Sequence, residues 1–188
     1  QVAVLDATGV AKVLSNLDGD LTTLSIVSVA GQKPVVGKAA KQDKFLDPEQ
    51  RVGELFKRYM HVEPPPAIVT AADGTSYTPV VLSAELLHYM KESAERLMGC
   101  TCKKAVIGVP AYFGEPARRT TKQAGLVAGF EEVHIVDEPT LAAMARIFQG
   151  VNYLVLFLPL WSGFGIVAVA AHRQGLPLWD SFSQVILA

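Results

Sequence analysis

A chain of 188 residues, half of them hydrophobic and 19% charged, holds enough apolar mass for one packed domain and fewer charges than the usual quarter. Its 17 basic and 18 acidic residues leave a net charge of −1, which excludes the electrostatic footprint of a nucleic-acid binder or an anionic-membrane binder. The longest apolar run, residues 153–161, is too short for the roughly 20 residues that span a bilayer.

In chain order, residues 2–5, 11–14 and 24–29 are short apolar or β-branched runs separated by polar turns, and they read as strands. Asp18-Gly19 and the Gly31 to Pro34 stretch supply turn chemistry. Residues 37–45 and 49–60 read as helices, the second opening behind Pro48. Three consecutive prolines, Pro64 to Pro66, end that stretch because none can donate a backbone hydrogen bond. Residues 67–80 predict a hairpin about Ala72-Asp73-Gly74.

A long helix follows. Ser83 is placed to cap it, and Leu86, Leu87, Met90, Ala94, Leu97 and Met98 share one face. Gly99 closes it in a left-handed conformation. Beyond it, strands and helices alternate: a strand at 105–109, a helix at 116–128, a strand at 133–136, a helix at 139–148, then strands at 153–158, 166–171 and 178–185. That order implies an α/β fold, a mixed sheet flanked by helices. The two cysteines, Cys100 and Cys102, lack the second pair that a tetrahedral metal site needs and read as unpaired thiols in a reducing compartment. The chain opens on Gln1 with no secretory signal, as a trimmed product would.

Several motifs recur in a fixed order. Val109-Pro110-Ala111-Tyr112-Phe113 is followed by Arg118, Lys122, Ala124-Gly125, Ala128-Gly129 and Glu138-Pro139-Thr140 with Ala142-Ala143. Earlier come Gly19-Asp20 with Thr22-Thr23, then Val36-Gly37 with Ala39-Ala40-Lys41, Pro48-Glu49 and Lys57-Arg58. This set resembles the ATPase domain of the seventy-kilodalton heat-shock chaperones, members of the actin-like ATPase superfamily.

The resemblance implies an actin-like (ribonuclease H-like) lobe. Its core subdomain would cover about 1–36 and 104–188, with a small inserted α+β subdomain at about 37–103. It implies the first lobe of a two-lobed nucleotide-binding domain, without the second lobe or the peptide-binding domain. Lys57 and Glu138 match the family's catalytic pair, and Pro110 and Arg118 match its allosteric relay. His134 and Asp137 stand where the family often has arginine and asparagine on its co-chaperone surface.

Two phosphate loops of the family find altered counterparts. Asp6, Ala7, Thr8, Gly9 and Val10 are aligned with the first, leaving Asp6, Thr8 and Gly9 as remnants. Residues 158–165 are aligned with the second, where Leu158 and Gly165 replace both aspartates, Trp161 replaces a glycine, and Gly163 remains. Backbone donors aimed at phosphate require glycine, and magnesium requires oxygen ligands.

The expectation is therefore a degenerate ATPase lobe that does not hydrolyse ATP, holds no metal or other cofactor, and works as a scaffold or regulatory interaction module in the cytoplasm. One alternative is an ATP-binding chaperone fragment that uses ATP or ADP with magnesium. Another is a self-associating domain whose exposed inter-lobe face, with Leu158, Leu160, Trp161 and Phe164, meets a protein partner, other chaperones included. Neither nucleic acid nor membrane is an expected partner.

Overall fold

The computed structural model describes residues 1–5, 11–47, 49, 51–141 and 167–170. Strand β1 (Val2–Leu5) pairs antiparallel with β2 (Ala11–Leu14). Next come β3 (Ile26–Ser28), β4 (Val35–Val36), helix α1 (Lys38–Leu46) and β5 (Val52–Glu54). A 3-10 helix (Phe56–Tyr59) and the hairpin β6 (Val69–Thr70) with β7 (Ser76–Tyr77) follow. The remaining elements are α2 (Pro79–Met98), β8 (Lys104–Val109), α3 (Glu115–Val127), β9 (Glu132–Asp137) and β10 (Val167–Ala170). Residues 138–141 open a further helix.

Five strands form a mixed sheet in the order β2-β1-β10-β8-β9. The pairs β1 with β10 and β8 with β9 are parallel, while β10 runs antiparallel to β8. A second sheet, β4-β3-β5, is antiparallel throughout. Helix α2 bridges the two, touching β3 and β4 as well as β1, β2 and β10. Its buried face, with Leu82, Leu86, Leu87, Met90 and Ala94, is the spine of one core. That core takes in Val27, Val29 and Phe56 from one side and Ala105, Ile107, Ala124 and Val133 from the other.

The mixed sheet flanked by helices is the architecture expected from the sequence, and the alternation from 104 to 141 matches it closely. The strands predicted at 153–158 and 178–185, and most of the helix at 139–148, lie outside the described residues. Two expectations need correction. Residues 49–60 are not a helix: β5 and the 3-10 helix occupy them, because β5 finds an open partner in β3 and Leu55 turns the chain with φ of 54°. Nor does Ser83 cap α2. The helix starts a turn earlier, with Pro79 in its first turn, where a missing N–H costs nothing, and the Ser83 hydroxyl donates to the Met60 sulfur at 3.5 Å.

At the other end of α2, Gly99 adopts φ of 65° and its N–H reaches the Glu95 carbonyl, the left-handed closure expected of it. Glu95 Oε1 accepts the Cys102 N–H at 2.8 Å. Cys102 is buried, and burial first, then the Glu95 charge, pushes its thiol up to about 12. Cys100 and Cys102 both stand as free thiols.

Helix α3 lies unusually close to the sheet at Gly125. A Cβ there would sit 2.9 Å from Val133 Cγ2 and 3.1 Å from Ile107 Cδ1. Both neighbours are buried β-branched side chains with little room to yield. Gly125→Val is therefore expected to lose about 1–3 kcal/mol through overpacking. Urea unfolding would show it as a lower midpoint at unchanged slope.

Candidate functional site

Four of the residues singled out by motif converge at one end of the parallel pair β8/β9. Val109 and Asp137, the last residues of these strands, are in register. Pro110 follows the first strand and Glu138 the second. Pro110 opens a tight turn in which its carbonyl accepts the Phe113 N–H at 3.0 Å. That turn folds Phe113 inward onto Met60, Val109 and Ala117, a small buried cluster beneath the strand ends, and leaves Tyr112 exposed.

Arg118, one turn into α3, ties this turn to the sheet. Its Nε donates to the Phe113 carbonyl at 2.9 Å, and its Nη2 forms a close ion pair with Asp137 Oδ1. Lys57 enters from the 3-10 helix. Its Nζ lies 3.7 Å from Glu138 Oε1 and 5.7 Å from the centroid of the Phe113 ring. The lysine side chain is only 15% exposed and the glutamate 29%. Burial, the larger effect, pushes the Lys57 ammonium below the usual lysine range, and the Glu138 charge pulls it part of the way back.

These side chains carry two positive and two negative charges in adjacent pairs. The arrangement neutralises itself. It can hold the two strand ends, the Pro110 turn and the 3-10 helix in one fixed relation, and any change at one member is felt by the others through shared contacts. Charges so paired are costly to separate when partly buried.

Sequence reasoning found Lys57, Glu138, Pro110 and Arg118 but not the links between them. Asp137 is a full member, as the ion-pair partner of Arg118, although the sequence marks it only as a surface position. Its place at the end of β9, next to Glu138, was the available signal. Phe113 is the other missed residue, joining Lys57 through its ring and Arg118 through its carbonyl. His134 is structural: its Nε2 lies 2.7 Å from Glu132 Oε1 on the same strand.

Asp6, Thr8 and Gly9 lie outside the described residues, as do Leu158, Leu160, Trp161, Gly163 and Phe164. The strands that flank them are informative. Val2 and Ala3 register with Val167 and Ala168, and these face Ile107 and Val106. Continued along β1, that register sets Leu5 level with Lys104. Leu5 thus lies about 17 Å along the strand direction from the strand ends that carry Asp137 and Glu138, at the usual rise per residue.

Among the described residues, no group of three or more His, Cys, Asp or Glu side chains is placed to hold a metal ion. No helix among them is long and apolar enough to cross a membrane.

Comparison with known proteins shows similarity to one family. A family model described as Hsp70 protein matches residues 1–160. The chaperone protein DnaK of Anaplasma marginale (strain St. Maries) is 38% identical over 159 residues, which cover 77% of this chain and 24% of that relative.

Proposed function

The chain belongs to the Hsp70 family, whose nucleotide-binding domain has the actin-like ATPase fold, and from that premise we propose that it is a chaperone-type lobe that does not hydrolyse ATP and serves as a scaffold or regulatory interaction module. It spans about a quarter of the length of the relative it matches, so the activity of a whole chaperone is not carried over to it.

One observation carries this reading. The cation and carboxylate that match the family's catalytic pair, Lys57 and Glu138, are engaged with each other at 3.7 Å in a half-buried setting. Next to them, Arg118 and Asp137 form a second pair. Phosphoryl transfer draws nearly all of its acceleration from positioned groups that neutralise charge developing on the phosphoryl oxygens. With each cation already engaged by a carboxylate, neither meets developing charge without first giving up that partner.

The sequence upstream of β10 adds to the case. Residues 158–165 contain no Asp, Glu, Asn, Gln or His to anchor magnesium, and Trp161 occupies a place where the family has glycine. By the family resemblance, Lys57 would meet the terminal phosphates of a bound nucleotide and Glu138 would hold water near them. The remaining described residues offer no third group for a metal. The apolar residues Leu158, Leu160, Trp161 and Phe164 are proposed to meet a protein partner or a second copy. The unpaired Cys100 and Cys102 fit a reducing compartment such as the cytoplasm.

The expected result is that the purified protein shows no magnesium-dependent ATP hydrolysis and no rise in melting temperature on adding ATP with magnesium, since a ligand that binds the native state raises stability. Hydrolysis that is present in this chain and absent from Glu138→Ala would overturn the reading. A clear thermal shift without turnover would favour a nucleotide-binding lobe that has lost only the chemical step.

A further inference from the structure

Leu55 is the only residue other than glycine with positive φ among the described residues, at φ 54° and ψ 15°. It stands at the junction between β5 and the 3-10 helix that carries Lys57. A left-handed backbone crowds a Cβ against the following carbonyl, and the residues that tolerate it are glycine, asparagine and aspartate. Burial of the side chain does not account for leucine here, because Leu55 is 54% exposed.

What the conformation accomplishes lies in the next two residues. Glu54 still pairs with Ile26 in the second sheet. Phe56, two positions on, is fully buried against α2 and β3 in the main core. Lys57, one further, reaches Glu138 and the face of Phe113. Extended backbone at residue 55 would continue the strand and carry Phe56 away from α2. Right-handed backbone would start a helix without the reversal. A left-handed residue turns the chain sharply enough to leave β5 and set the lysine on its partner within three positions. The Arg58 N–H then closes the turn onto the Leu55 carbonyl at 2.9 Å.

We infer that Leu55 is a positioning residue, a strained hinge whose left-handed conformation places Lys57 on Glu138. Relaxation of Leu55 to negative φ swings the 3-10 helix, and the lysine with it, off the β8/β9 strand ends. The inference concerns the same lysine and glutamate as the proposed function, but its readout uses no nucleotide, so the two fail separately.

The experiment follows the titration of Lys57 by NMR of its side-chain carbon next to the nitrogen in the full chain and three variants. Leu55→Gly and Leu55→Asn, which accept the left-handed region, are expected to keep the lowered titration midpoint of Lys57 and to melt no lower than the parent. Leu55→Val, whose β-branch opposes that region, is expected to move the midpoint back toward that of an ordinary lysine while the circular dichroism of the helices persists. A merely structural role would change melting temperature without moving the Lys57 midpoint selectively. The inference is overturned if Leu55→Val leaves the midpoint in place, or if Leu55→Gly and Leu55→Asn displace it. Should Leu55→Val fail to fold, the glycine and asparagine variants decide alone: a displaced midpoint or a lower melting temperature in both refutes the hinge.

Discussion

Replacing Phe56 with alanine is expected to lower stability by about 3–5 kcal/mol, the range for emptying a large aromatic from a packed core. Phe56 is fully buried, and it joins elements that sequence order keeps apart, packing among Val27, Leu82 and their neighbours. Its loss leaves a cavity under α2 and loosens the 3-10 helix on which Lys57 rides. Denaturant unfolding of Phe56→Ala should give a much lower midpoint. Leu97→Ala, at an exposed position of α2, should stay within about 0.5 kcal/mol of the parent. A Phe56→Ala protein as stable as that control would mean the second sheet does not depend on the core described above.

Glu138→Ala is expected to cost about 1–3 kcal/mol near neutral pH, because it leaves the Lys57 ammonium largely buried without its carboxylate. The pH dependence gives the cause away. The folded protein holds Lys57 below its ordinary value of 10.5, burial being the main reason. Between the folded and unfolded values the unfolded chain binds more protons, so this group adds stability as pH rises through that window. Glu138 limits the depression by favouring the charged lysine. Its removal pushes the folded value lower and widens the window toward neutrality. The deficit of Glu138→Ala should thus be greatest below the folded value of Lys57 in the parent and shrink as pH climbs above it. A deficit constant across that range would point to lost helix-start interactions at residue 138 instead of the lysine's lost carboxylate.

How far the sequence reveals these features depends on what each one rests on. The stretch from β8 to Glu138 is legible because an apolar run, a proline-led helix and a second apolar run leave few alternatives. The unit of β5 and the 3-10 helix is not. Val52, Phe56 and Met60 recur at helical spacing, and periodicity alone favours a helix there. What overrides it is tertiary: an unpaired edge of β3 and the reversal at Leu55. The start of α2 is missed because Ser83 outweighs Pro79, although a proline is itself a helix-opening signal.

At the site, motif spacing identifies Lys57, Glu138, Pro110 and Arg118. It cannot reveal that Asp137 and Phe113 connect them, since those contacts depend on strand register and on the Pro110 turn.

The position of β10 has a consequence for how the chain is built. Among the described residues, it lies at the centre of the five-stranded sheet and is the last of that sheet's strands in sequence, beyond the region matched by the family model. During synthesis, the β1–β2 hairpin and the parallel β8/β9 pair emerge as two separate ribbons with no backbone hydrogen bonds between them. Among the described strands, β10, complete at residue 170, is the one that joins them into a single sheet. Until then each ribbon offers one open inner edge, the kind of surface that invites pairing with other nascent chains. Until β10 is in place, those two inner edges are the part of the lobe most exposed to mispairing.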